Sequence, residues 1–277
     1  MNDKRDLRLD LFRIFCMYLI CITHAVGYDH SRWTHPLASL SFAGVIGFVL
    51  ISGYFGIRFS WGKVFRLELT ALFWAFGVSL LGEGIEKSTF QVLNASVLHQ
   101  TIAIWKWYWF VHAYVLLMCL APLVPDIRTC KPMLIRAFSP MIFAVYGWSF
   151  LSLVPGIQAY VPQTFGLTAY SGLTLFAVYL IGRLYRAFDG DRLNVGLVYP
   201  VAAVGGLVAV ASGHCCLHLG GVLARYNSPF LLAFGLGLFF LFRRAMPAAF
   251  PAVLVNRVIV PITPSIFSVY LIHCNSY

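Results

Sequence analysis

The sequence consists mainly of long apolar segments separated by short polar ones. Segments of about 20 apolar residues are long enough to cross the ~30 Å hydrocarbon core of a bilayer as helices. A last apolar segment begins near residue 263 and runs towards residue 277. The segments before it predict membrane helices over 8–27, 37–57, 66–82, 107–125, 137–154, 169–187, 195–212 and 229–242.

The last segment, "TPSIFSVYLIHCNSY", is too short to cross the hydrocarbon core as a helix. Two interpretations stay open: either the chain is truncated here, or the segment ends inside the protein. The first segment follows a basic start but has no small-residue cleavage site, so we expect an uncleaved first helix rather than a signal peptide.

Composition supports the membrane interpretation. Of the 277 residues, 60% are hydrophobic and 11% are charged, whereas about a quarter of the residues of a soluble domain are charged. The mean hydropathy is +0.80. These values exclude an ordinary soluble domain and predict an all-α, polytopic transmembrane bundle of about 9–10 helices. The seven cysteines fall mostly within apolar segments and suggest no disulfide framework.

The net charge of +10 is explained by membrane topology. With the predicted helices, 16 of the 20 Lys and Arg residues fall on one side of the membrane, and Arg32, Lys87, Lys106 and Arg225 fall on the other. Basic loops are concentrated on the cytoplasmic side of membrane proteins. We therefore expect a cytoplasmic N-terminus, contact between the basic loops and the lipid bilayer, and no nucleic-acid partner.

Arg13 and His24 lie within the first predicted helix, in "DLFRIFCMYLICITH". Eleven residues correspond to about three full turns, so the two side chains share one helix face, about 16 Å apart along the axis. Ionisable groups inside membrane helices are costly and usually functional. The alternative is that Arg13 extends to the lipid headgroups and that His24 makes a hydrogen bond within the bundle.

Four stretches together resemble the acyltransferase 3 family. The first is the arginine, ten residues and histidine of the first helix. The others are "FVLISGYFG" (48–56), "WYWFVHAYVLLMCLAPLV" (107–124) and "SIFSVYLIH" (265–273). They occur in the order typical of the family and span almost the whole chain. This sequence stops four residues after His273, whereas family members continue further.

The resemblance implies a single integral-membrane acyltransferase domain over 1–277, located in the cytoplasmic (inner) membrane. Such enzymes transfer an acyl group, most often acetyl, from cytoplasmic acyl-CoA to a hydroxyl of a surface glycan or lipid-linked sugar in the bacterial cell envelope. The residue chemistry agrees with this expectation. Histidine is the usual base for a hydroxyl proton, so His24 is the candidate base. Guanidinium geometry suits phosphate, so Arg13 is the candidate anchor for CoA, and Arg13 and His24 together are the candidate catalytic residues.

Weaker candidates lie near these two residues. Ser52, in the Ser-Gly segment, is a candidate donor contact, although small residues there also suit helix packing. Lys63 and Arg66 are candidate phosphate contacts, although both also fit the charge bias of cytoplasmic loops. Trp107 and Tyr108 fit an interfacial aromatic belt, with sugar stacking as the alternative, and His112 is a candidate acceptor contact on the same helix.

We predict no metal site. "HCCLH" (214–218) places two histidines four residues apart beside two thiols, but no second ligand pair matches it. The rival function is a transporter or flippase for a small anion or a lipid-linked sugar, because polar groups inside a bundle also mark transport paths. Inverted repeats or paired broken helices would favour a transporter, and neither is evident in the sequence. The sequence predicts neither the acceptor glycan nor the oligomeric state.

Overall fold

The described residues of the protein are predominantly helical. The computed structural model describes residues 6–27, 34–87, 95–125, 131–151, 170–188, 192–215, 225–247, 250–251, 253 and 255–273, and no strand occurs in them. The helices are α1 (Leu7–Gly27), α2 (Thr34–Ser41), α3 (Ala43–Phe55), α4 (Trp61–Lys87), α5 (Ala95–Trp107), α6 (Trp109–Leu120), α7 (Lys131–Leu151), α8 (Gly172–Ala187), α9 (Val195–Cys215), α10 (Pro229–Phe240) and α11 (Ile266–His273). This confirms the predicted all-α bundle.

Shorter helical turns extend three of these helices. A 3₁₀ turn over Ala121–Leu123 follows α6, and a π-helical turn over Leu241–Ala245 follows α10. Three turns lead into α11: a π-helical turn over Val255–Ile259, an α-helical turn over Val260–Ile262 and a 3₁₀ turn over Thr263–Ser265.

Three helical stretches in the described ranges are long and apolar enough to cross a membrane: Leu37–Phe55, Trp61–Glu86 and Val255–Ile272. A fourth is obtained if Ala95–Lys106 and Trp109–Leu123, which meet at a bend of 56°, are counted as one span. These stretches support a membrane protein.

The main departure from the sequence prediction lies between α4 and α6. We expected residues 83–106 to form a polar connection, but residues 95–107 form α5, which packs along α4. With 13 residues, α5 is too short to have been recognised as a complete span. Its apolar positions Val97 and Ile104 are buried or half-buried. The connection is therefore shorter than predicted, and Lys106 lies at the helix break rather than in a loop.

The first and tenth helices meet at one end of the bundle. Arg243 forms an ion pair with Asp6 at 3.3 Å, and a guanidinium nitrogen of Arg8 donates to the Arg243 carbonyl at 3.0 Å. Both Arg186 and Arg243 donate to the hydroxyl of Tyr54, at the end of α3. We call this the basic end, defined by Arg8, Arg58, Lys63, Arg186 and Arg243.

The basic end fits the predicted alternation of charge. Lys4, which we expected on the same face as Arg243, lies outside the described residues, but neighbouring Asp6 and Arg8 contact Arg243 directly.

Burial raises the pKa of Asp6, but the hydrogen bond and charge of Arg8 and the charge of Arg243 outweigh it and hold that pKa below its ordinary value. Because this folded-state pKa is lowered, the contact stabilises the fold above the ordinary carboxyl pKa and is lost as the pH falls through the lowered value.

The helix that carries Ser52 is fixed by close packing of α3 against α8. A Cβ on Gly53 would collide with the carbonyl oxygen of Tyr179, and a Cβ on Gly182 would lie 2.6 Å from the carbonyl oxygen of Leu50. The two backbones therefore touch directly, as small residues permit in membrane helices. This contact holds α3, and with it Ser52, at a fixed position in the bundle.

We expect Gly53→Ala to destabilise the protein by about 1–3 kcal/mol, because overpacking against a backbone carbonyl forces the helices apart. Gly77→Ala is the matched control, since a Cβ at Gly77 has no neighbour within 4 Å. There the better helix propensity of alanine predicts an unchanged or higher stability. Thermal unfolding of both variants in detergent checks this, and equal unfolding temperatures would contradict the close packing.

Candidate active site

A cavity with basic walls lies at the basic end of the bundle. Its volume is about 360 Å³. We call it the basic cavity, and its lining residues are Arg13, Ile51, Ser52, Phe55, Gly56, Ile57, Arg58, Lys63, Leu67, Tyr114 and Met118. Arg13, Arg58 and Lys63 are cationic, and no carboxylate occurs among these lining residues. Such a lining attracts an anionic ligand from the basic end.

Arg13 is held in place by an acidic residue on its own helix. Its guanidinium donates to a carboxylate oxygen of Asp10 at 2.6 Å, one turn earlier on α1. The Asp10 side chain is 4% exposed and that of Arg13 is 33% exposed. The guanidinium also lies over the ring of Phe55, 5.6 Å from its centre. Arg13 is thus oriented by two contacts and still presents part of its surface to the cavity.

A second cavity adjoins the basic cavity further along α1. It has a volume of about 190 Å³ and we call it the apolar cavity. Its lining residues are Met17, Ile20, Phe48, Ser52, Leu67, Phe110, Val111, Tyr114, Ile266, Phe267 and Tyr270. Ser52, Leu67 and Tyr114 line both cavities. The two cavities therefore meet at these three side chains.

The α1 face predicted from the sequence runs past both cavities. Arg13 lines the basic cavity, and Met17 and Ile20 line the apolar cavity. His24 follows Ile20 by four residues, so it continues the same face one turn further from the basic end. Arg13, Met17, Ile20 and His24 therefore lie on one face of α1, which we call the α1 stripe. It leads from the basic cavity towards His24.

His24 lies in the last turn of α1 and is half-buried. It is not among the residues that line the two cavities. The neighbouring Thr23 shares a hydrogen bond of 2.6 Å with Ser41, which ties this end of α1 to α2. Residues 28–33, which follow α1, lie outside the described ranges. The structure therefore places His24 on the same face of α1, beyond the residues that line the two cavities.

The junction of the two cavities carries two hydroxyl groups. Ser52 donates to the carbonyl oxygen of Phe48 at 3.0 Å, and its oxygen lies 3.1 Å from the Tyr114 hydroxyl. Tyr114 was not recognised from the sequence. The available signal was its spacing, since Phe110, Tyr114 and Met118 recur every four residues on α6 and all line a cavity.

His112 belongs to a separate polar cluster beside the break between α5 and α6. Its Nε2 lies 3.1 Å from the carbonyl oxygen of Trp105, so this nitrogen must be the donor. Its Nδ1 lies 3.7 Å from one oxygen of Glu68, and the Trp105 indole N–H donates to the other oxygen at 3.2 Å. Both ring nitrogens of His112 thus face protein groups.

This cluster was not predicted, because Glu68 lies in an apolar stretch of α4 far from His112 in sequence. Its contacts join α4, α5 and α6 at the bend between α5 and α6. An acceptor contact by His112, as proposed from the sequence, stays a prediction.

The comparison with known families agrees with the cavity chemistry. The acyltransferase 3 family model, described as an acyltransferase domain, matches residues 6–275, nearly the whole chain. The chain belongs to this acyltransferase family. No curated protein and no solved structure matches the chain significantly. Membership supports acyl transfer in general, and the donor, the acceptor and the roles of individual residues are not assigned by it.

Two further candidates of this acyltransferase lie at the helix break. Tyr108 is fully buried, and its hydroxyl donates to the carbonyl oxygen of Leu271 in α11 at 2.8 Å. This contact ties the break to α11, and sugar binding by Tyr108 stays a prediction. The side chain of Trp107 lies outside the described residues.

The side chains of the "HCCLH" segment also lie outside the described residues. No cluster of three or more metal-ligating side chains occurs in the described part of the chain.

Lys63 and Arg66, the two candidate phosphate contacts on α4, lie in different places in the structure. Lys63 lines the basic cavity, and its ammonium donates to the Arg58 carbonyl at 3.2 Å. Arg66 is exposed and lines a different groove, formed by α4 residues alone. The cavity geometry therefore selects Lys63, and not Arg66, as the neighbour of Arg13.

We expect Lys63→Ala to weaken acyl-CoA binding by about 3- to 10-fold, since one charge contact to phosphate in a partly exposed site contributes about 1 kcal/mol. Arg66→Ala removes the same unit of charge from the same helix and should change the affinity by less than about twofold. Equilibrium binding of radiolabelled acetyl-CoA to both purified variants distinguishes them. Equal losses would mean that the general surface charge, and not the cavity, attracts the donor.

Proposed function

We propose that this protein transfers an acyl group, acetyl in the simplest case, from acyl-CoA to a hydroxyl of a surface glycan or lipid-linked sugar. The observation that carries the proposal is the α1 stripe. It begins at Arg13 in a cavity with three cations, continues past an apolar cavity and ends at a histidine. This order matches the order of parts in the donor, which has an anionic nucleotide, a long arm and a thioester.

The donor would enter at the basic end. Its phosphates would contact Arg58 and Lys63, whose side chains are exposed. They would also contact Arg13 on α1, which lines the same cavity. The Asp10 contact holds the Arg13 guanidinium in one orientation, so less conformational entropy is lost when it binds phosphate. This end would face the cytoplasm, because of the charge bias of the loops, and the membrane would be the inner membrane, as the family resemblance implies.

The chemical step needs a base near the thioester. His24 would accept the proton of the acceptor hydroxyl as its oxygen forms a bond to the thioester carbonyl carbon. The carbon–sulfur bond then breaks, and the sulfur leaves with the electron pair. The proton on His24 can pass to this thiolate, so that free CoA leaves as the thiol and the imidazole returns to its neutral form.

A transporter or flippase is the second candidate, and one observation favours it. The bend of 56° between α5 and α6 is the kind of broken helix that transporters use at substrate sites. Transporters typically have such breaks in pairs, and the described ranges contain one bent pair. The acyltransferase interpretation is preferred because it also accounts for the basic cavity and for the family.

The test is acyl transfer by purified protein. Detergent-solubilised protein is incubated with acetyl-CoA labelled in the acetyl group and with a glycan acceptor, and label in the glycan is measured. We expect label in the glycan and one equivalent of free CoA thiol for each acetyl transferred. A protein that moves labelled sugar or anion across vesicles but forms no acylated product would contradict the proposal.

A further inference from the structure

The two cavities are chemically different, and the donor's arm must pass from one into the other. This inference rests on the proposed function. Three cations line the basic cavity, whereas the side chains that line the apolar cavity are apolar apart from those of Ser52, Tyr114 and Tyr270. The arm of CoA consists of short methylene segments joined by amides. Burying an amide without a hydrogen bond is costly, so the arm needs polar partners at the point where it enters the apolar cavity.

We infer that Ser52 and Tyr114 bind an amide of the donor's arm at the junction of the two cavities. They are the polar residues that line both cavities, and Leu67, the third shared residue, is apolar. Their two oxygens are 3.1 Å apart, one on α3 and one on α6. An arm that passes from Arg13 towards Ile20 must pass alongside both hydroxyls, because both line the junction.

The hydrogen-bond roles at the junction suit an amide. A carbonyl oxygen cannot donate, so the Ser52 proton points to the Phe48 carbonyl. Tyr114 must then donate to Ser52 in the present structure. When the arm enters, the hydroxyls of Tyr114 and Ser52 can both turn to one amide carbonyl oxygen, which has two lone pairs and can accept from two donors this close together. The Tyr114–Ser52 and Ser52–Phe48 hydrogen bonds are then exchanged for two to the ligand.

The size of the apolar cavity limits what lies beyond the junction. An apolar cavity of about 150 Å³ holds a benzene molecule, so about 190 Å³ holds roughly seven or eight carbon-sized groups. This volume suits the last methylenes of the arm and a short acyl group. The junction therefore fixes how far the arm extends towards His24.

The test compares two ligands in binding to the full-length purified protein. One is CoA, and the other is its phosphorylated adenosine part without the arm. Tyr114→Phe keeps the ring and removes the hydroxyl, so we expect about 3- to 10-fold weaker binding of CoA and unchanged binding of the armless nucleotide. Ser52→Ala should show the same selectivity. The matched control is Tyr18→Phe, which removes a hydroxyl from a side chain that is 62% exposed on α1, and it should change neither affinity.

The outcomes separate the two proposals. If the wild-type protein binds both ligands and Tyr114→Phe binds CoA as tightly as wild type, the junction site is wrong and the proposed function stands. If Tyr114→Phe binds both ligands more weakly by the same factor, the hydroxyl supports the fold or the phosphate site. This result also overturns the inference. If the wild-type protein binds neither ligand, both the inference and the proposed function fail.

Discussion

His24→Ala should lower single-turnover acyl transfer by at least about 100-fold, because general-base catalysis contributes about 10²- to 10⁴-fold. The affinity for acyl-CoA should stay within about twofold of wild type, since the donor's phosphates contact the opposite end of the stripe. Thermal unfolding should change little, because His24 lies half-buried in the last turn of α1 rather than in the core. A rapid-quench measurement of label transfer, with donor and acceptor both saturating, gives the rate of the chemical step directly.

His99→Ala is the matched control for this experiment. His99 is also a histidine distant from the basic end, but its side chain is exposed on α5. The His99→Ala variant should therefore transfer acyl groups at the wild-type rate. If His24→Ala is folded, binds donor and transfers at the wild-type rate, His24 is structural and the proposed mechanism is wrong.

Arg13→Lys should weaken acyl-CoA binding by about 10-fold or more. The substitution keeps the positive charge and a partner for the buried carboxylate of Asp10, but it loses the planar geometry with which a guanidinium contacts two phosphate oxygens. Lysine is the informative replacement, because Arg13→Ala would remove an ion-pair partner of the buried Asp10 carboxylate and so destabilise the protein. Equilibrium binding of labelled acetyl-CoA measures the loss.

The control for this variant is Arg136→Lys on α7, where the side chain is exposed and lines neither cavity. It should leave the affinity unchanged. Arg13→Lys should also raise KM more than it lowers kcat, since it acts on donor binding. Unchanged affinity for Arg13→Lys would show that the cation acts only by its charge, or that Arg13 does not contact the donor.

The stripe on α1 could be predicted because it depends on local geometry alone. The helical repeat places Arg13 and His24 on one face in any helix, and the structure adds Met17 and Ile20 between them as cavity walls. The all-α bundle could be predicted because long apolar segments have few other stable forms in a bilayer.

The junction and the helix break could not be predicted in the same way. Ser52 and Tyr114 are 62 residues apart, so their contact depends on how α3 packs against α6. The Glu68–His112 contact depends likewise on the bend between α5 and α6. Single-sequence patterns specify which face of a helix is distinctive, but they do not specify which helix lies opposite that face.

The central claim is that one acyl group passes along the stripe from the basic end to an acceptor on the other side. The direct measurement uses proteoliposomes with the basic end on the outside, captured by an N-terminal tag that is accessible from the outside. Labelled acetyl-CoA is added outside, and a membrane-impermeant glycan acceptor is trapped inside. The account predicts labelled glycan inside while CoA stays outside. Label transfer only when donor and acceptor are placed on the same side would contradict it.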